Sequence, residues 1–145
     1  MAGIELMGDI RKADKSDLKT CLNMGLDFCQ MAGFKPDYKK IESTMMELIE
    51  AGNLIVHGRP ATGMIGGVIY EHYFNKEVVS QELFWWVTPK ARGGAGIKLL
   101  KAFEDWSKEN GADKVMMISL EKNDVSRIYL KRGYTALEQT YMRLL

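Results

Sequence analysis

Leu83-Phe84-Trp85-Trp86-Val87-Thr88-Pro89-Lys90-Ala91-Arg92-Gly93-Gly94-Ala95-Gly96-Ile97-Lys98-Leu99-Leu100 is the most informative stretch of this chain. Its first five residues are apolar on both parities, the pattern of a strand covered on both faces. A central strand is therefore expected, not an edge. Pro89 and the glycines break that strand, and Ile97, Leu100, Phe103 and Trp106 or Ser107 then recur at helical spacing until Asn110-Gly111. A strand that passes through a glycine turn straight into a helix leaves the first N–H groups of the helix unpartnered and aimed at one spot. That spot attracts anions. Glycines let the backbone approach a phosphate closely, the macrodipole adds roughly half a positive charge, and Arg92 offers a fork of donors. The turn is not a Walker A loop, because no Lys-Ser or Lys-Thr follows the glycines. Nor is it a dinucleotide fingerprint, because the G-x-G-x-x-G spacing fails at the last position. The plainer reading of the same residues is a tight turn whose glycines serve packing alone.

Upstream, Ile4 to Arg11 mixes apolar and polar positions as a first strand does. Ser16-Asp17 starts a helix with Leu18, Cys21, Leu22, Leu26 and Cys29 on one face, ending near Gly33. Pro36-Asp37 opens a second helix through Ile41, Met45, Leu48 and Ile49, closed by Ala51-Gly52. Asn53–His57 and Met64–Phe74 read as strands on either side of the turn Arg59-Pro60-Ala61-Thr62. Asn75-Lys76-Glu77 turns into the central strand, Val78 to Val87. Downstream, Lys114 to Leu120 reads as a buried strand. Asn123 or Asp124 caps a short helix through Val125, Ile128, Tyr129 and Leu130 that ends at Gly133, and Tyr134 to Leu144 suits one or two closing strands. The expected order is β-α-α-β-β-β-α-β-α-β(-β), a mixed α/β sheet in one layered domain spanning residues 1–145.

Composition narrows the class. A chain of 145 residues buries roughly 68–70% of its unfolded surface, enough for one core without staples. Its 20 basic and 19 acidic residues create no general field for nucleic acid or an anionic membrane, so any attraction to phosphate is local. No apolar run approaches the ~20 residues of a membrane span, and a soluble cytoplasmic protein is expected. Cys21 and Cys29 lie too far apart on one helix for a disulfide and lack metal-ligand company, so no metal site is expected. The methionines, scattered singly or in pairs, read as core filling.

The glycine turn resembles the signature of the GNAT acetyltransferase superfamily: Arg or Gln, two residues, Gly, one residue, then Gly or Ala, followed by paired leucines. Gly94, Gly96, Leu99 and Leu100 match in register. The first position falls on Ala91, with Arg92 one residue later; aligning Arg92 instead deletes one residue from the turn. A second family signature, Asn near a helix start and Tyr, two residues, Gly, then Phe or Tyr, is similar to Asn123, Ser126, Tyr129 and Gly133-Tyr134. One residue is extra before Gly133. The resemblance spans most of the chain and is strongest from Met64 to Tyr134. The compact chain is also similar to acetyltransferase-like proteins of tailed phages.

The resemblance implies a mostly antiparallel sheet flanked by helices, acetyl-coenzyme A as cosubstrate, and a primary amine of a small molecule or protein as acceptor. It allows a homodimer. It implies a bulged strand at Trp85, Trp86 and Val87 whose freed backbone bonds the pantetheine arm, and a pyrophosphate cradle at Arg92, Gly93, Gly94, Ala95, Gly96 and Ile97, with Asn123 and Ser126 nearby. The plainer role of the tryptophans is aromatic bulk in the core. Acyl transfer needs a neutral amine, donors for the developing oxyanion, and a proton for the leaving thiolate. Tyr129 matches the family's proton donor, against the alternative of a tyrosine packed on the sheet, and a backbone N–H near Val87 is the oxyanion donor. Glu82, Glu71 and His72 are the candidate bases, Glu82 first because its surroundings are apolar. Deprotonation through water alone is the other route. His57 reads as structural or exposed. The acceptor is expected among the first two helices, the Phe34–Tyr38 loop and the central strands, in a pocket of Phe28, Phe34, Tyr38, Tyr70 and Phe74 with Glu71 as cation partner. Two rival functions remain. One is a catalytically silent module binding coenzyme A or a partner. The other is a toxin acetylating aminoacyl-tRNA, disfavoured by a net charge of +1.

Overall fold

The computed structural model describes residues 9–145. One sheet runs in the order β1 (Ile10–Lys12), β2 (Leu54–His57), β3 (Gly63–Glu71), β4 (Val78–Val87) and β5 (Lys114–Met116). Successive pairs from β1 to β4 are antiparallel, while β5 lies parallel to β4. Among the described residues four α-helices accompany it: α1 (Leu18–Ala32), α2 (Tyr38–Ala51), α3 (Gly94–Glu109) and α4 (Ser126–Lys131). The expected mixed α/β architecture is present. Of the first strand expected over Ile4–Arg11, the part before Asp9 lies outside the described residues.

Two apolar cores sandwich the sheet, which accounts for strands that are apolar on both parities. Leu54, Val56, Met64, Phe84 and Trp86 face α1 and α2 through Cys21, Met24, Met45, Leu48 and Ile49. Ile10, Ile55, Ile65 and Val87 face α3 through Ala95, Leu99, Ala102, Phe103 and Trp106. Ile97, expected on that inner face, is exposed in the first turn of α3. At the far end of the helix, Trp106 Nε1 donates to the Gly52 carbonyl at 3.1 Å and ties α3 to the end of α2. Asp37 caps α2 by accepting from Lys40 N at 3.0 Å. Arg11 donates a fork to buried Asp17 at 2.7 and 2.8 Å and a third bond to Gly58 O, fastening β1 both to the start of α1 and to the β2–β3 turn. The pairing holds Asp17 below the usual carboxylate range.

The sheet is irregular at one place that matters for the site. Gly66 pairs with Phe84 but Gly67 pairs with Glu82, so Leu83 is an extra residue on β4. The expected bulge lies at Leu83 and not at Trp85–Val87. Close approach explains the glycine pair opposite. A Cβ on Gly66 would stand 2.7 Å from the Phe84 ring, and one on Gly67 2.6 Å from the Phe103 ring and 2.7 Å from the Gln81 carbonyl.

Two expectations fail downstream of α3. The strand expected over Lys114–Leu120 pairs with β4 for only three residues, Lys114 to Met116, and is half-buried at best. Tyr134–Leu144 forms no strand, and Leu137, Tyr141, Met142 and Leu144 are exposed. A further strand on that side needs the outer edge of β5, which is too short to set a register.

Gly67→Ala should therefore lower the unfolding free energy by about 1–3 kcal/mol, because the fixed Gln81 carbonyl leaves the methyl no room. Urea denaturation checks this, and a loss below about 0.5 kcal/mol would contradict the close approach.

Candidate active site

The parting of β4 and β5 builds the site. β5 pairs with Val79, Ser80 and Gln81 and then leaves, so the β5-side edge of β4 from Glu82 to Val87 has no strand partner among the described residues. At the end of this edge Val87 passes through a 3-10 turn, Pro89–Ala91, into α3. Gly93 precedes the helix with φ 130°, a conformation glycine alone adopts readily, and supplies no capping side chain. The first N–H groups of α3 thus meet no cap. A Cβ built on Gly93 or Gly94 meets nothing within 4 Å, so the turn is open rather than packed. These features fit an anionic group of the expected cosubstrate. The indole N–H groups of Trp85 and Trp86, on opposite faces of the sheet, are buried without a hydrogen-bond partner.

Arg92 is placed differently from expectation. Its Nε donates to the Val87 carbonyl at 2.9 Å and its guanidinium lies 4.9 Å from the centre of the Trp86 ring. It locks the end of β4 by a hydrogen bond and a cation–π contact, instead of standing free over the helix N-terminus. Ala95 is buried, whereas Gly94 and Ile97 are exposed at the mouth.

Glu82 and Tyr129 meet on one residue. Glu82 Oε1 accepts from Ile118 N at 2.9 Å, and Tyr129 Oη donates to Ile118 O at 2.7 Å. Both side chains are buried, Glu82 at 4% exposure and Tyr129 at 6%. Burial pushes the Glu82 carboxyl up to about 7, although the Ile118 N–H pulls the other way. Burial, and then the Glu82 charge, hold the Tyr129 phenol well above its ordinary range. The Tyr129 ring lies 6.1 Å from Trp85 and 5.4 Å from Tyr134, whose hydroxyl donates to Glu104 Oε2 at 2.8 Å.

The other sequence candidates lie apart from this pair. Glu71 sits exposed at the far end of β3, four residues and on the order of 13 Å along the strand from Gly67, the partner of Glu82. His72 Nδ1 accepts from Phe74 N at 3.1 Å within the β3–β4 turn. His57 Nδ1 meets Thr62 Oγ1 at 3.2 Å. Asn123 is exposed, and its N–H donates to Leu120 O at 3.1 Å. It does not cap α4. Asp124 Oδ1 serves there, accepting from Ser126 N and Ser119 Oγ, each at 2.9 Å. Ile118 escaped sequence reading because a backbone group used as a tether carries no residue signature.

A cavity of about 190 Å³ lies against α1, α2 and β4, walled by Phe28, Phe34, Ile41, Met45, Leu83 and Phe84. Tyr38, Tyr70, Phe74 and Glu71, expected to share this pocket, are not among its walls. Tyr70 Oη instead donates to Gln81 Oε1 at 2.8 Å, while Tyr38 and Phe74 are exposed.

The GNAT acetyltransferase family model matches residues 31–134. Among solved structures, the chain is similar to an acetyltransferase of Trypanosoma brucei, with 21% identity, a TM-score of 0.72, and 94% and 98% of the two chains covered. A putative acetyl transferase of Pyrococcus furiosus shares 23% identity at a TM-score of 0.65, covering 90% of this chain and 93% of that one. AAC(6')-Iy in complex with a bisubstrate analogue, CoA-S-monomethyl-acetylneamine, shares 20% identity at a TM-score of 0.74, over 94% and 97%. At these identities the likeness concerns the fold. No curated protein sequence matches significantly.

The raised Glu82 carboxyl has a sign that can be tested. The folded state retains the proton above the unfolded pKa, so this group's contribution is fully present below pH about 4.5 and is lost as pH rises through about 7. Glu82→Gln, which stays neutral and keeps an acceptor for Ile118 N–H, should gain stability over the parent by up to about 3 kcal/mol between pH 4.5 and 8. Urea denaturation across that range measures it. A stability difference that does not vary with pH would show that Glu82 titrates normally.

Proposed function

The chain belongs to the GNAT acetyltransferase family, and from that premise we propose that it transfers an acetyl group from acetyl-coenzyme A to a primary amine. One juxtaposition carries the reading. The unpaired edge of β4 leads at one end to the uncapped N-terminus of α3 and at the other to Glu82 and Tyr129, joined at Ile118. Acetyl-coenzyme A supplies the acyl group as a thioester. The N–H groups that open α3, from Gly94 to Ile97, suit its pyrophosphate, with the macrodipole favouring the negative charge. The open edge of β4 at Trp85 and Trp86 suits the amides and carbonyls of the pantetheine arm, while the Val87 carbonyl is held by Arg92. Arg92 acts by holding the end of β4 in place, through the Val87 carbonyl and the Trp86 face.

The two buried groups divide the proton work. A carboxyl raised to about 7 is half ionised near neutrality, where a general base works best, and Glu82 is the group that takes a proton from the acceptor's ammonium. Tyr129, held above its ordinary range, keeps its proton and can only act as an acid at neutral pH. Its hydroxyl now donates to Ile118 O, and turning from that carbonyl presents the same proton to a leaving thiolate. Burial sets both values, so the apolar walls of the site are part of its chemistry. Solvent restores each group after turnover.

Two outcomes follow. Coenzyme A at a hundredfold excess over its Kd should stabilise the fold by about 2.7 kcal/mol, and Gly94→Trp should abolish that gain. A Cβ at Gly94 meets nothing within 4 Å, so the substitution should leave the unliganded fold intact. Thermal denaturation with millimolar coenzyme A reads both, and an unshifted wild type would overturn the cosubstrate assignment. Tyr129→Phe should lower kcat by roughly 10²–10⁴ on a good acceptor while the coenzyme A shift persists. Wild-type turnover in a thiol-release assay would remove Tyr129 from the mechanism.

A further inference from the structure

The cavity between α1, α2 and β4 bears on the acceptor. Leu83, the bulged residue, and Phe84 form its sheet-side wall, and they follow Glu82 directly in the chain. The ring of Phe28 stands 6.1 Å from Phe34 and 6.4 Å from Phe84, tilted by 55° and 60°, so the walls already pack as tilted aromatic pairs. An enclosed apolar cavity of about 150 Å³ takes up benzene, and this pocket, open to solvent on one side, offers about 190 Å³, room for one ring or a branched chain of similar bulk. Charge gives the second constraint. Lys40 is the one charged wall residue, and no Asp or Glu lines the cavity among the described residues. A ligand with several ammonium groups would lose hydration there without gaining a carboxylate, and would meet a like charge at the rim.

We propose that the acceptor is a monoamine bearing a single aromatic ring or a branched alkyl group of comparable size, seated in this cavity, and that polyamines and aminoglycosides are discriminated against. The reaction it undergoes rests on the acetyl-transfer reading above; its binding does not.

The test has two arms. In a thiol-release assay with acetyl-coenzyme A, 2-phenylethylamine and isoamylamine should show a kcat/KM roughly tenfold or more above spermidine and neamine. Equal or faster turnover of the polycations overturns the proposal. In calorimetric titrations with and without coenzyme A, 2-phenylethylamine should bind the wild type. It should fail to bind Thr44→Trp and Leu83→Trp, two separate ways of filling the cavity, each checked for a retained thermal transition. Binding with no acetylation of any amine would uphold the cavity and overturn acetyl transfer. Absence of binding under both conditions, or binding that survives in a folded filled variant, overturns the cavity as the acceptor site.

Discussion

β4 has to stay paired with β3 on both sides of its bulge while parting from β5 after Gln81, and the site depends on that divergence. The extra residue at Leu83 absorbs it. A bulge bends one strand without breaking the ladder on the other side, and here the ladder closes again at Gly66 and Gly67, where side chains would collide with Phe84, Phe103 and the Gln81 carbonyl. The result is a strand with one edge satisfied and the other free from Glu82 onward. An unpaired strand edge offers its backbone donors and acceptors to any group that can bond them. In this chain that edge is the proposed cosubstrate-binding surface.

Ile118 limits how far the two strands part. Its N–H is taken by Glu82 of β4, so one side chain continues across the gap the connection that three residues of β5 begin, while its C=O is taken by Tyr129 of α4. The same bonds tune the groups that make them. Glu82 is buried enough for its carboxyl to rise to about 7, yet an N–H favouring the ionised form keeps it from rising further. Tyr129 is pushed up by its own burial and then by that charge. The tether and the proposed acid–base pair are thus built from one set of atoms.

The two faces of the sheet serve different ends. On one, α3 packs Leu99, Phe103 and Trp106 against Ile55 and Ile65, and this rigid seat aims its N-terminus at the end of β4. On the other, α1 and α2 cover Leu54, Val56 and Met64 and leave a cavity beside Leu83 and Phe84. Arg11 and Asp17 fasten that helical layer to the edge strand, remote in the sheet order from the β4–β5 gap. Trp86 links the two sides, packing against Phe28 of the cavity wall on one hand and under Arg92 at the end of β4 on the other.

Local pattern determined a good deal. The double-parity apolar run before Thr88, the glycine turn, the helix behind it and the helices at Leu18–Ala32 and Tyr38–Ala51 were legible because period and punctuation act within a few residues. Glu82 stood out for the same reason, as a carboxylate inside an apolar strand. Tertiary structure alone decided where the bulge falls, how soon β5 ends, that residues 134–144 add no strand, and that Arg92 turns back onto Val87 and Trp86. It alone decided which aromatic residues wall the cavity and that no carboxylate joins them. Each of these depends on partners far apart in the chain, as Glu82 and Ile118 are, and on backbone groups that every residue shares. Periodicity reports which face of an element is apolar; it carries no record of which backbone N–H a buried carboxylate will find.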